Sequence, residues 1–409
     1  TSAGDGGSPS ASGNAGVGGA GAAGHAGTGG TPVHAEDATF CRAELARAVD
    51  HYDGFRNAYD DPTEIPRSAK NGSVRLVGAS DWTSGFPAGS FWLLYEFTGE
   101  ESWRETARRW TAALSGQRTR TDTHDVGFVI NNTYGAGHRL TGEAAYVSVV
   151  EDAAESLASR FDEDVGATRS WDFGSWSFPV IIDNMMNLEL LFHATELGAS
   201  ARFREIAISH ALTTLENHFR PDGSSYHVVD YDPNTGGVIR KQTNQGVADE
   251  SAWARGQAWG LYGFTLCFRE TDDARFLERA RTIADFYTQS SVMPEDAVPY
   301  FDFDAPERSD VNDYRDSSAG AIAASALFEL ARYVPPEAAE RYLEFALRAV
   351  RSLSSASYRA ALGQNSHFLL QHAVGNYPQN DEIDVAINYG DYYYLEALLR
   401  CAALDPLTP

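Results

Sequence analysis

Five short turns, each followed at once by a second helical pattern, restrict the folds open to this chain. They are Thr98-Gly99-Glu100, Thr141-Gly142-Glu143, Leu197-Gly198-Ala199, Thr271-Asp272-Asp273 and Val334-Pro335-Pro336. Ahead of each turn lies a segment that is apolar on most sides: 91–97, 126–140, 185–197, 253–268 and 319–330. A helix with no polar face must be buried, so these are expected to be inner helices. After each turn the pattern becomes amphipathic. Trp103, Ala107, Trp110 and Leu114, for example, stand at i, i+4, i+7 and i+11 among Arg and Glu, as in a helix that covers a core from outside. Two helical stretches remain, an amphipathic one near 39–58 and an apolar one over 392–399. Pairing the last with the first closes a ring of six hairpins. The expected fold is all-α, an (α/α)6 barrel, with a cavity at one end of the inner ring.

The chemistry-bearing residues fall on one side of this repeat. Asp81, Asp125, Asp183, Asp249, Asp316 and Asp391 each stand near the start of an inner helix, and the loops leading in carry aromatic, His and Gly residues. The mouth is therefore expected at the inner-helix N-termini, where free N–H groups and helix dipoles favour anions. Most of the six Asp must be helix caps. Asp183 is the strongest candidate for more. It lies between the apolar run Val180, Ile181, Ile182 and the helical pattern of Met186, Leu190 and Leu191, and a carboxyl entering an apolar wall has its pKa raised, as a general acid near neutrality requires. Asp125 follows His124 in HDVGF, and Asp183 follows the aromatic loop WDFGSWSFPVII. Two carboxylates across a cavity suit sugar chemistry, and aromatic residues supply faces for sugars to stack on.

The acidic balance, formal net charge -25, argues against nucleic acid or an anionic membrane as partner. No run reaches the roughly 20 apolar residues of a membrane span. Residues 1–38 are Gly, Ala and Ser with almost no large apolar side chain; they are expected to be a flexible tether, ahead of a catalytic domain over 39–409. Such a tether is expected of an extracytoplasmic protein, periplasmic or surface-tethered, with a lipid anchor possible. Cys41, Cys267 and Cys401 lie far apart and match no zinc spacing, and are expected to be core thiols. No metal site and no cofactor are expected, since the carboxylates and His are not in ligand spacings.

Six segments in order, WTSGFPAGSFWLLYEFTG (82–99), HDVGF (124–128), IIDNMMNLELLF (181–192), NQGVADESAWARGQAWGLYGF (244–264), RDSSAGAIAASALFEL (315–330) and DYYYLEALLR (391–400), resemble the unsaturated glucuronyl hydrolases, glycoside hydrolase family 88. The likeness runs from about residue 40 to about 402. It implies an (α/α)6 barrel that removes a 4,5-unsaturated glucuronic acid from the non-reducing end of lyase-made oligosaccharides. The implied chemistry is hydration of the C4=C5 double bond. Asp183 would protonate C4 and activate the water that adds at C5, and Asp125 would hold the sugar hydroxyls and stabilise positive character. The resemblance also implies a pocket containing Trp82, His124, His227, Gln245, Arg255, Trp259 and His372, with Arg255 offering its fork to the acidic substrate and Trp82 and Trp259 stacking on the rings. Trp176 is placed near the leaving sugar. Some members carry a Ser-Gly-Lys cluster after the last pocket His; here His372 is followed by Ala373, Val374, Gly375 and Asn376, then a long loop with Asp381, Glu382 and Asp384, so no sulfate clamp of that type is expected. The alternatives are an unsaturated rhamnogalacturonyl hydrolase acting on pectin fragments, a non-catalytic uronide-binding toroid, and a uronate lyase on the same fold.

Overall fold

The computed structural model describes residues 34–404. Most of the expected tether lies outside the described residues. Its last part is corrected, because residues 35–38 already form the first turn of helix α1, Ala35–Ala58.

Counting the abutting segments over 126–141 as one helix, twelve α-helices follow one another among the described residues. After α1 come α2 (Gly85–Thr98), α3 (Glu101–Ala113), α4 (126–141, with a π-helical turn at Asn131–Gly135), α5 (Val147–Ala158) and α6 (Asn184–Glu196). The second half is α7 (Ala201–Asn217), α8 (Ala254–Thr271), α9 (Ala274–Gln289), α10 (Ser317–Leu330), α11 (Pro336–Leu353) and α12 (Asn388–Ala402). The even-numbered helices pack on one another in the order α2, α4, α6, α8, α10, α12 and back to α2. Each odd-numbered helix lies outside its hairpin partner, with α1 on α12. Burial follows the pattern in the sequence. All of α10 is buried, whereas amphipathic α3 buries Trp103, Ala107, Trp110 and Thr111 and exposes its charges. The first hairpin turn needs its glycine, since Gly99 has φ 67°, a conformation costly for a residue with Cβ.

The ring is closed covalently. Cys41 of α1 and Cys401 of α12 form a disulfide across a sequence separation of 360, with Cα atoms 6.0 Å apart. This corrects the expectation of three core thiols; only Cys267 is free, and it is buried. Distance along the sequence concealed the pair, yet the pairing of last helix with first is what sets the two residues side by side.

Strands decorate the N-terminal end of the inner helices, where the sequence was read as loop. Strands β1 (Ile65–Lys70) and β2 (Ser73–Val77) join two late strands, β8 (Ala373–Asn376) and β9 (Asp381–Ile387), in a sheet of order β2-β1-β9-β8. The long loop expected after His372 is thus an antiparallel hairpin, with Ala373 opposite Val385. A two-stranded sheet pairs β3 (Phe161–Asp162) with β4 (Ala167–Thr168). A three-stranded sheet pairs β5 (Pro179–Ile181), β6 (Val228–Tyr231) and β7 (Val238–Gln242). Val180 and Ile182 are 0% exposed, so the apolar run ahead of Asp183 is the buried strand end that aims it.

Aromatic side chains block the barrel axis. Phe86, Phe128, Trp259 and Tyr393 meet at centroid distances of 5.3 to 5.9 Å, and Tyr392, Tyr393 and Tyr394 are buried. Beyond this plug, at the inner-helix C-termini, a second cavity is lined by a charge network in which Arg269 pairs with Glu189 and Glu329, and Arg400 with Glu329.

Candidate active site

On the near side of the plug, at the inner-helix N-termini, a cavity of about 440 Å³ is lined by Trp82, His124, Asp125, Asp183 and Gln245 among others. The six Asp residues separate by what their side chains do. Asp316 accepts from Ser318 N–H and Ala319 N–H, and Asp81 from Thr83 N–H. Asp249 accepts from Thr243 N–H. Asp391 lies inside α12, where it accepts from the N–H groups of Leu369 and Leu370 and from Tyr52 Oη. Asp125 and Asp183 occupy N-cap positions, but neither carboxylate caps its helix. Both residues line the cavity instead.

Asp183 is buried, and its Oδ2 has no hydrogen-bond partner. Burial pushes its pKa up to about 7, against the opposing pull of the Arg255 guanidinium; the Asp125 charge adds to the rise and the Trp259 indole N–H opposes it. His227 Nε2 stands 3.7 Å from Asp183 Oδ2. The other ring nitrogen, Nδ1, accepts from Asn244 N–H at 3.1 Å and so carries no proton. Burial holds this imidazole well below its usual pKa, so it is neutral with its proton on Nε2, facing Asp183. The acid form of Asp183 is the one a proton donor requires. Activity is therefore expected to be flat just below pH 7 and to fall about tenfold per pH unit above it. A kcat/KM profile rising steadily to pH 9 would assign the proton to another group.

Asp125 is held differently. Thr123 Oγ1 donates to its Oδ2 at 2.8 Å, and His124 Nε2 lies 3.2 Å from its Oδ1. His124 Nδ1 sits 2.8 Å from the Ser170 carbonyl, which can only accept, so the proton is on Nδ1. Burial lowers the His124 pKa, and its Nε2 is buried beside Asp125 without a hydrogen-bond partner. The Asp125 carboxylate, which lines the cavity, is an acceptor for sugar hydroxyls. The helices carrying the two Asp are locked together where Phe128 N–H donates to Asn187 Oδ1 at 2.8 Å. Gly127 permits that approach: a Cβ there would lie 2.6 Å from the same oxygen.

Four of the expected pocket residues, His227, Arg255, Trp259 and His372, do not line the cavity. Arg255 is 1% exposed, and its fork is spent on Asp316, at 2.8 Å, and on the carbonyl oxygens of Val374 and Gly375. It anchors strand β8 beside the cavity and keeps only its Nε–H without a partner. Trp259 is 0% exposed and packs between Phe128 and Tyr393 in the plug, so its face is closed to sugars. His372 turns away to Asp384 Oδ1 at 2.6 Å. Trp176 donates to Gln242 Oε1 at 3.0 Å and supports Trp171 edge-on. Gln245 lines the wall and donates to the Gly375 carbonyl at 2.8 Å. The sequence reading missed Trp171, Phe173 and Tyr389. Trp171 and Phe173 stack 4.9 Å apart at the cavity rim, with Phe173 60% exposed. The loop WDFGSW was legible as aromatic; which ring faced the cavity depended on pairings with distant strands.

An α/α toroid with a sugar-sized cavity, aromatic walls, a buried protonated carboxyl and a second carboxylate is the architecture of a carbohydrate-active hydrolase. The model of Glycosyl Hydrolase Family 88 matches residues 61–401, and the chain belongs to that family. It is 44% identical over 330 residues to an unsaturated glucuronyl hydrolase of Formosa agariphila, covering 80% of this chain and 81% of that one. It is 37% identical over 334 residues to an unsaturated glucuronyl hydrolase of Bacillus sp., covering 78% and 86%. A crystal structure of an unsaturated glucuronyl hydrolase specific for heparin superposes with TM-score 0.83 at 44% identity, covering 90% of this chain and 96% of that one. The chain is a glycoside hydrolase, and the resemblance found in its six segments extends to the whole fold.

Among the described residues no helix is long and apolar enough to cross a membrane. Among the same residues, no three His, Cys, Asp or Glu side chains stand where together they could hold a metal ion.

Proposed function

We propose that this hydrolase removes the 4,5-unsaturated glucuronic acid from the non-reducing end of lyase-generated glycosaminoglycan fragments, by hydrating the C4=C5 double bond. The observation that carries the reading is Asp183: a buried, uncapped carboxyl whose pKa of about 7 keeps it protonated up to neutrality inside the cavity. Its proton goes to C4. Positive character then develops at C5, and Asp125 stabilises it electrostatically. The Asp183 carboxylate, now the base, takes a proton from the water whose oxygen bonds to C5, and so regains its acid form. The resulting hemiketal collapses and the glycosidic bond breaks. No charge need be left on the enzyme between turnovers.

The hairpin over residues 373–387 carries no Lys or Arg, and it presents Gly375, Asn376 and Asp381 to the cavity. We therefore propose that it contains no sulfate clamp, and that sulfated and unsulfated fragments are turned over at comparable rates. An extracytoplasmic location is proposed as well, because a disulfide persists in oxidising compartments. The test is ultraviolet absorbance of the unsaturated uronate, followed on lyase-made disaccharides from hyaluronan, chondroitin, heparin and pectin. Falling absorbance on the first three is expected, with pectin fragments turned over slowest. Turnover of pectin fragments alone would move the enzyme to another uronide, and rising absorbance would make it a lyase.

A further inference from the structure

We infer that Tyr389 is a substrate-positioning residue that reads the uronate carboxylate, a role that rests on the function proposed above. Tyr389 stands in the first turn of α12 and lines the catalytic cavity. It is 0% exposed, and its Oη has no hydrogen-bond partner. A buried hydroxyl left unpaired is costly unless a ligand completes it. Burial raises the phenol pKa, so the group is a proton donor over the whole working range.

The surrounding groups narrow down what it meets. Both arginines on the cavity wall are already neutralised: Arg67 by Glu382 and Asp81, at 2.7 and 2.8 Å, and Arg120 by Asp122 at 2.9 Å. His124 and His227 are neutral for the reasons given above. Among the described residues an acidic sugar entering here meets no free cation on the wall, so uncharged donors must satisfy its carboxylate. Tyr389 is placed to supply one. Its ring is fixed by Trp82 at 5.0 Å, and the Arg255 guanidinium lies 5.2 Å from the ring centroid. The Nε–H of that guanidinium is another donor left without a partner beside Tyr389. A neutral donor also suits the chemistry. The carboxylate hangs from C5, the carbon that becomes positive, and a full positive charge beside it would oppose the transition state that Asp125 favours.

The experiment compares wild type with Tyr389→Phe on an unsaturated glucuronyl disaccharide and on its C6 methyl ester. Phe keeps the ring and deletes only the unpaired hydroxyl, and a thermal unfolding curve checks that the fold is kept. Loss of a hydrogen bond to a charged group is expected to lower kcat/KM on the acid about tenfold or more. The loss is expected mainly in KM, with at most about a twofold change on the ester. A preference for acid over ester in wild type that shrinks in the variant supports the assignment. Equal losses on both substrates, or no loss on either, would overturn it while leaving the proposed function standing. Wild type that treats acid and ester alike would overturn it without any variant. Wild type inactive on every unsaturated uronide would remove both readings together.

Discussion

Asp183→Asn is expected to lower kcat by roughly 10³-fold or more, the upper part of the range for a positioned acid or base, while KM changes little. The magnitude follows from the double duty of one side chain. The carboxyl gives its proton to C4 and, as carboxylate, takes one from the attacking water, so an amide at this position fails at both steps. Asn matches Asp in shape, and the backbone geometry does not depend on the carboxylate, because Asp183 makes no cap hydrogen bond. Stopped ultraviolet assays on a disaccharide that wild type turns over would measure the loss. A variant retaining a tenth of the wild-type rate would shift the proton to Asp125 or to a bound water.

The same substitution is expected to stabilise the fold. The folded pKa of about 7 lies above the roughly 3.9 of an unfolded Asp, so the folded state binds this proton more tightly than the unfolded one. The stability contributed by the neutral carboxyl is therefore present at low pH, is lost as pH rises from about 4 to 7, and is gone above that. A gap of about three between the two pKa values corresponds to on the order of 4 kcal/mol. Asp183→Asn should consequently unfold at a higher temperature than wild type at pH 8, and the gap should narrow toward pH 4. Higher stability and lower activity from one atom exchange is the pattern of a group held in an unfavourable place for its chemistry.

The ring of helices was legible because its evidence is local. Apolar periodicity, a turn and an amphipathic partner all lie within about forty residues of one another, and the pattern recurs. Asp125 and Asp183 were legible for the same reason, each being placed by its own loop and helix. The mouth was harder to read. The strand order β2-β1-β9-β8 joins segments about three hundred residues apart, and short polar strands at a rim carry little alternation. Arg255 illustrates the consequence. Its i, i+4 spacing from Trp259 was correctly read as one helix face, but its partners are the carbonyl oxygens of Val374 and Gly375, supplied by strand β8. What the sequence offered as a fork for the substrate is taken up by the fold. His372 departs in the same way, because the hairpin that follows it brings Asp384 within 2.6 Å.

Reduction of the Cys41–Cys401 disulfide is expected to cost the fold about 5 kcal/mol, at the upper end for such bonds, because the loop it closes spans nearly all of the described residues. For a domain of this size an unfolding entropy of about 2.1 cal/mol/K per residue converts that loss into a fall in melting temperature of roughly 6 °C. The weakness should be localised. Helices α1 and α12 are the only hairpin partners in the ring not joined by a turn, so their packing is a seam that the bond holds shut. Calorimetry with and without dithiothreitol, and on Cys41→Ser/Cys401→Ser, would measure the fall. Limited proteolysis under reducing conditions should cut first near α1. An unchanged melting temperature on reduction would mean that α1 and α12 hold the seam by packing alone. The catalytic wall would feel an open seam, since α12 carries Tyr389 in its first turn and Cys401 in its last. A loss of kcat/KM that precedes unfolding is therefore expected on reduction.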